Sequence, residues 1–481
     1  MNRTPTLAAL ALATALTAAT WGTGGAALGA GPSTHRAAAP DRGGPGKWTK
    51  VSTGTVGTTF LPSLVRSGNG DLHLVYARDT GGSTTLGHTA LHTNGRVYLQ
   101  NTILTPSWVT MDPAPVVVNG AGDLRVVFGG DLDLGAGFWS DGRMYTATSD
   151  STGANWNLPA QAVGQSHQAY GSYGTAATTL ADGTPIAGFP LGSALTWHVG
   201  TANNPDQTYD VGPSHCCIYN AAMVRDGSKV YVAWYQNDDS KAGNGTFVKQ
   251  IYPAVGPTLK APGSSKGANS LPAGRVALAA RDGGGVYAAY CVGYPSCTSV
   301  RVWKVGTNKT TDVPHSKFVT TISLSPSPSG RLWVAWSDNI PKVRAVRTGK
   351  SGLAMGAVRT AGLPKGKSAV YSIAVDGTRG RGDIVVNVGD SFWHTQVLAG
   401  LTLHASPSHW THGRRQKVTF TVSDAHAAVR GAKVKVGSDH CTTRRHGTCA
   451  ITFPASFGKG KHTARASKSG YFAATTGLKV R

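Results

Sequence analysis

A tight glycine-containing turn followed by a short apolar strand recurs seven times along this chain, and no other feature constrains its fold so strongly. The anchoring glycines are Gly70, Gly122, Gly183, Gly227, Gly283, Gly330 and Gly382, spaced 52, 61, 44, 56, 47 and 52 residues apart. Each neighbours an Asp or a Ser, as two-residue hairpins require, because their central residues take positive φ. Another apolar strand precedes each anchor, and further alternating segments follow it. Such a period marks small antiparallel sheets repeated around an axis. The chain is expected to be all-β: a seven-bladed β-propeller, with six blades as the alternative count. A row of β-sandwiches is the competing architecture, with less regular spacing.

Strand counting predicts how the ring closes. The last repeat supplies one strand too few before the pattern changes at residue 401. The segment Lys47-Trp48-Thr49-Lys50-Val51 is an orphan strand, expected to pair with Trp393-His394-Thr395-Gln396-Val397 and remove an open edge. Residues 401–481 alternate cleanly over five or six strands, which reads as a small immunoglobulin-like sandwich.

The first thirty residues read as a secretion signal. Arg3 begins it, and the apolar stretch from Leu7 to Ala19 is too short to cross a bilayer. Ala27 or Ala30 offers the cleavage point, with Ala37-Ala38-Ala39 as a later alternative. The expected division is a signal peptide over 1–30, a flexible linker over 31–46, the propeller over 47–400 and the basic sandwich over 401–481. No transmembrane segment is expected, and the mature protein is secreted.

Six cysteines suit an oxidising compartment. Cys291 with Cys297, and Cys441 with Cys449, read as loop staples. Adjacent Cys216 and Cys217 could form a vicinal ring, or each could reach another cysteine. No CxxC or clustered His spacing points to zinc, and neither metal nor cofactor is expected.

All 23 acidic residues are Asp, against 46 Lys and Arg. Residues 401–481 carry 14 Lys/Arg and 2 Asp, while residues 47–400 carry 29 and 20. So positive a tail attracts polyanions and weakens with salt; its expected partner is an anionic cell surface, with solubility or generic wall adhesion as the plainer alternative. Removing residues 401–481 is expected to abolish attachment and leave the propeller folded. No nucleic-acid-binding module is recognisable, and no specific nucleic-acid partner is expected.

The residues carry a family resemblance. Phe60 to Val65, running into Gly70-Asp71-Leu72, resembles the opening blade of sialidase-like propellers. Tyr145 to Val163 resembles their Asp-box (BNR) hairpin, S-x-D-x-G-x-T-W. Ser149, Gly153 and Trp156 match, whereas Ser151 replaces the Asp and Asn155 the Thr. The resemblance covers residues 47–400 and implies a sialidase-like β-propeller; the tail resembles bacterial Ig-like, carboxypeptidase-regulatory-like modules. Sialidase chemistry does not carry over. The family's carboxylate-binding arginine falls on Phe60, and its nucleophilic Tyr relies on a Glu, which this chain lacks entirely.

In a propeller, the loops leaving each second strand and entering each new blade share one rim, where ligands bind. That mouth is expected to collect Arg78, Asp79, Trp108, Asp131, Asp133, His167, Tyr170, Tyr173, His215, Tyr219, Tyr235, Asn237, Asp238, Asp338 and His394. Rings offer apolar faces to pyranoses, and Asp and amides bond hydroxyls. The leading expectation is a secreted protein binding an extracellular glycan, with an anionic one favoured by charge. One alternative is a polysaccharide lyase using His167 or His215 with Tyr170 or Tyr219. Another is a divergent glycoside hydrolase working through Asp pairs such as Asp131 with Asp133 or Asp238 with Asp239. The plainer reading of both His–Tyr segments is rim packing between loops.

Overall fold

The computed structural model describes residues 45–57, 60–79, 84–103, 108–111, 115–119, 121–135, 138–139, 142–158, 162–166, 175–191, 193–211, 218–236, 243–264, 276–293, 297–338 and 342–481. The secretion signal and linker expected over 1–46 fall almost wholly outside them. The described chain is all-β.

Among the described residues, strands between Thr49 and Gly400 form seven antiparallel sheets. In chain order, their first strands are Ser63–Arg66, Val116–Val118, Ala176–Thr179, Ile218–Asp226, Ala277–Ala280, Val319–Ser327 and Ser372–Gly377. Each packs against the next, and Ser372–Gly377 packs against Ser63–Arg66 again, so the sheets close a ring and the architecture is a β-propeller. Trp108–Met111 adds a further segment beside Leu124–Gly135 in the second sheet. Apolar clusters lie between successive sheets, with large rings such as Trp234, Trp333 and Trp336 filling them.

Most anchoring glycines sit where the spacing placed them. Gly70 and Gly283 have φ of 91° and 87° in the turns between first and second strands. Gly382 is the exception. It lies inside the strand Arg381–Asn387, opposite Gly377, where an added Cβ would come within 3.2 Å of the Trp333 ring. There the turn belongs to residues 378–380, and the glycine serves packing.

Thr49–Lys50 is the outer strand of the seventh sheet, with Thr49 opposite His394 and Lys50 opposite Trp393, as strand counting predicts. Val51 N donates to Phe392 O at 2.9 Å, and Phe392 N to Ser52 Oγ at 2.9 Å. Nearer the axis a buried charge cluster joins the first sheet to the last. Arg66 donates from Nε to Asp376 Oδ2 and from Nη2 to Asp383 Oδ2, both at 2.7 Å. The other Asp383 oxygen holds His394 Nε2 at 3.0 Å and Gln396 Nε2 at 2.8 Å. Burial alone would raise the Asp383 carboxyl, but the His394 hydrogen bond and the Arg66 and Arg381 charges overcome it and hold it at about 2.

A second buried chain joins the first two sheets. Asn101 Nδ2 donates to Gly153 O and Ala154 O, at 2.8 and 2.9 Å, so its Oδ1 faces His88 Nδ1 at 2.8 Å. His88 Nδ1 therefore carries the proton, and His88 Nε2 accepts from His73 Nδ1 at 3.0 Å. The Ser67 hydroxyl ends the chain, 3.0 Å from His73 Nε2. The Asp-box-like hairpin docks on this chain: Trp156 donates to Gly153 O at 3.0 Å and packs edge-on against His88. Gly153 has φ of 71°, and an added Cβ would lie 2.3 Å from His88 Cε1, so no other residue fits. Gly153 and Trp156 thus hold the first two sheets together.

After Gly400, two sheets enclose one core with Phe420, Phe453 and Val434 at its centre. One contains Thr402–Ser406, Gln416–Asp424 and Thr448–Phe453; the other orders His409–Trp410, Ala474–Val480, Gly460–Ser467, Lys433–Val436 and Asp439–Thr442. The Cys291–Cys297 and Cys441–Cys449 disulfides are formed; Cys216 and Cys217 lie outside the described residues.

The tail is not loosely tethered. Tyr471–Phe472 pairs in parallel with Ala399 and Gly400, and buried Asp424 meets Arg347 and, at 3.3 Å, Arg331. Arg347 is 3% exposed and its carboxylate partner belongs to the tail, so ring and sandwich share a buried ion pair.

Two outcomes follow. Arg66→Ala leaves Asp376 without its ion-pair partner and Asp383 with Arg381 as its remaining arginine, and lowers the unfolding free energy by about 3–5 kcal/mol in denaturant titration. Burial holds His88 down at about 3 and His73 at about 4, both below 6.5. The folded state therefore binds fewer protons, and this stability is complete above pH 6.5 and is lost as pH falls toward 4 and 3. The slope is about 1.4 kcal/mol per pH unit for each group. A His73→Asn/His88→Asn double variant has a flatter Tm profile between pH 6.5 and 4.

Candidate functional site

First strands begin, and second strands end, at one rim of the ring. The registers Ile218 opposite Gln236, Val319 opposite Asp338 and Ser372 opposite Asn387 mark this mouth in three sheets. The glycine turns form the opposite rim.

At the mouth edge of the fourth sheet, Tyr219 stands opposite Tyr235, their rings stacked 6.0 Å apart at 23°. Tyr235 is buried and Tyr219 half-buried, both against the cluster shared with the fifth sheet. A half-exposed ring backed by a second ring is a stiff apolar face for the C–H side of a sugar. Next to it Gln236 is buried and accepts from Trp234 Nε1 at 3.3 Å.

Asp338 ends the second strand of the sixth sheet, with its Oδ2 3.0 Å from Arg344 Nη2. Among the described residues its buried Oδ1 has no hydrogen-bond partner, an acceptor left unsatisfied. Burial raises the carboxyl, with Arg344 opposing the shift. Asp131, in the second sheet, accepts from Gly142 N at 3.4 Å, and Asp79 and Asp133 are exposed.

Three expected mouth residues have other duties. Trp108 is 2% exposed and packs edge-on against Phe128 and Tyr145, in the core. Arg78 turns outward to the Thr53 and Thr102 hydroxyls and clamps the segment after the closing strand. His394 is buried in mid-strand on Asp383, in the closing cluster. In each case burial or pairing won over position in the sequence. His167, Tyr170, Tyr173, His215, Asn237, Asp238 and Asp239 lie outside the described residues.

The sequence reading missed Gln236 and Arg344, since a buried amide and a third-strand arginine carry no local signature. Phe60, in the place of the family's arginine, packs on apolar neighbours while its carbonyl accepts from Ser372 Oγ at 2.9 Å. It offers no charge to a carboxylate. A separate open cleft of about 530 Å³ lies beside the Asp-box-like turn, lined by Asn119, Asp123, Arg125, Asp150 and Asn157 among others. Among the described residues no three metal-ligating side chains converge.

The chain matches no family model, and no curated protein matches it in sequence. Solved structures similar to it include the polysaccharide lyase Uly1, at 9% identity and TM-score 0.43, covering 70% of this chain and 89% of that one. The intramolecular trans-sialidase from Ruminococcus gnavus is similar at 9% identity and TM-score 0.38, covering 70% and 94%. The NanB sialidase from Streptococcus pneumoniae is similar at 9% identity and TM-score 0.40, covering 74% and 71%.

Proposed function

We propose that this is a secreted, sialidase-like propeller protein that binds an extracellular glycan at the ring mouth without performing sialidase chemistry. In this reading residues 1–30 are a removed signal peptide and 31–46 a flexible linker. Residues 47–400 are a seven-bladed propeller, and 401–481 an Ig-like sandwich whose positive charge holds the protein to an anionic surface. The two disulfides fit an oxidising compartment.

One arrangement carries the proposal: the half-exposed Tyr219 ring backed by Tyr235, on the same mouth as Asp338 with its unpartnered buried oxygen. A ring for the sugar face and acceptors for its hydroxyls make up a binding site for a polar, ring-shaped ligand. Phe60 in place of an arginine, and the complete lack of Glu, speak against a sialidase-type nucleophile. The lyase and glycosidase alternatives draw no support from the described residues, and the assay below retains them as outcomes.

Binding is tested on an array of neutral and acidic oligosaccharides, followed by calorimetry on the best ligand. Tyr219→Ala and Asp338→Asn each weaken that ligand about tenfold, or 1.4 kcal/mol, and leave Tm within a few degrees. Incubation with uronate polymers yields no unsaturated product by absorbance, and a fluorogenic sialoside is not cleaved. Turnover of either substrate would replace the binding reading with an enzymatic one, and unaltered affinity in both variants would move the site away from the mouth.

A further inference from the structure

The charge of residues 401–481 is not spread evenly over the sandwich. In the sheet ordered His409–Trp410, Ala474–Val480, Gly460–Ser467, Lys433–Val436 and Asp439–Thr442, the outward positions include Lys433, Lys435, Lys461, Arg465 and Lys479, all exposed. Lys435 stands directly opposite Arg465, and Lys461 directly opposite Lys479. Like charges in such cross-strand pairs, about 5 Å apart, destabilise a sheet.

Neither acidic residue of the sandwich relieves them. Of the two Asp residues in 401–481, Asp424 is buried against Arg347, and Asp439 stands across from buried Val436, on the inward side. Among the described residues none of the five cations makes an ion pair. The outward face of the other sheet carries Lys417 alone, among His404, Thr402, Thr419 and Thr452. Charge placed for solubility would occupy both faces. Lysines guarding a sheet against aggregation would stand on its edges; these stand on the three inner strands.

We propose that this cationic sheet face is a docking surface for a linear anionic polysaccharide. The inference rests on the reading of the sandwich as a surface anchor and names the face that does the anchoring. Lys433, Lys435 and Arg465 form one group, and Lys461 with Lys479 a second about 13 Å further along the strands, so the face meets repeated negative groups on an extended chain. The repulsion built into the free face is relieved when those groups arrive. A membrane fits less well, because the exposed large apolar residues, Val255, Phe318, Tyr371 and Phe472, all lie elsewhere. Single-stranded nucleic acid fits less well too, because the face presents no Phe, Tyr or Trp for base stacking, only the small rings of His409 and His440.

The test compares two full-length variants that each remove four charges. One carries Lys435→Gln, Lys461→Gln, Arg465→Gln and Lys479→Gln on the face; the other carries Arg414→Gln, Arg415→Gln, Arg444→Gln and Arg445→Gln in turns off it. Binding to polygalacturonate, a linear uronate polymer, is measured over a salt series, with a short DNA duplex and anionic phospholipid vesicles as comparators. The face variant loses at least about tenfold in affinity and most of the salt dependence, while its Tm stays level or rises. The off-face variant binds like the parent. Equal losses in both variants would keep a net-charge anchor but overturn the docking face, and no binding by the parent would overturn the anchor itself. A lowered Tm in the face variant would make the face structural, and tighter binding to duplex or vesicles than to polygalacturonate would overturn the choice of partner.

Discussion

A ring of sheets must join its last member to its first, and everything at the mouth depends on that joint. Here it is made twice. On the outside, Thr49–Lys50 completes the seventh sheet, so the chain that begins the ring also ends it. Near the axis, Arg66 of the first sheet reaches two carboxylates of the seventh, and Asp383 passes the contact on to His394 and Gln396. An open ring would leave an unpaired strand edge and two buried carboxylates. The relative places of Tyr219 and Asp338 are fixed only because the circle is closed.

Much of this was legible in the chain. Glycine turns recur because a two-residue hairpin admits few residues, and that local rule repeats with each sheet. Clean alternation over 401–481 followed from sheets that have one wet face. The seventh glycine shows where the rule stops, since Gly382 answers to Trp333 and not to a turn. The least legible features join residues far apart in sequence. Nothing near Asp424 foretells Arg347, and nothing near Trp108 or His394 says that each is sealed among buried neighbours. A mouth residue and a core residue can occupy equivalent places in the repeat, and only the packing of neighbouring sheets separates them.

The Asp-box-like hairpin illustrates the difference between a motif and a function. Ser149, Gly153 and Trp156 match the family pattern, yet Gly153 and Trp156 do their work against His88 and Asn101 of the preceding sheet. The two histidines, which on chemistry alone could be acid–base groups, are neutral links in a buried one-way hydrogen-bond chain. The proposed recognition falls instead to two surfaces of different character: a mouth with a stacked aromatic pair and a buried carboxyl, and a cationic sheet face on the sandwich. Asp424 meets Arg331 and Arg347 where the second strand of the sixth sheet begins and the third ends, so the sandwich sits against the glycine-turn rim, across the ring from the mouth.

Hydrogen–deuterium exchange, with and without a saturating oligosaccharide chosen from the array, tests the central claim most directly. The account predicts added protection at the mouth, in peptides covering 218–219, 235–236 and 337–338, and none at the glycine-turn rim. Protection confined to the cleft around residues 119–157, or to no part of the ring, would contradict it.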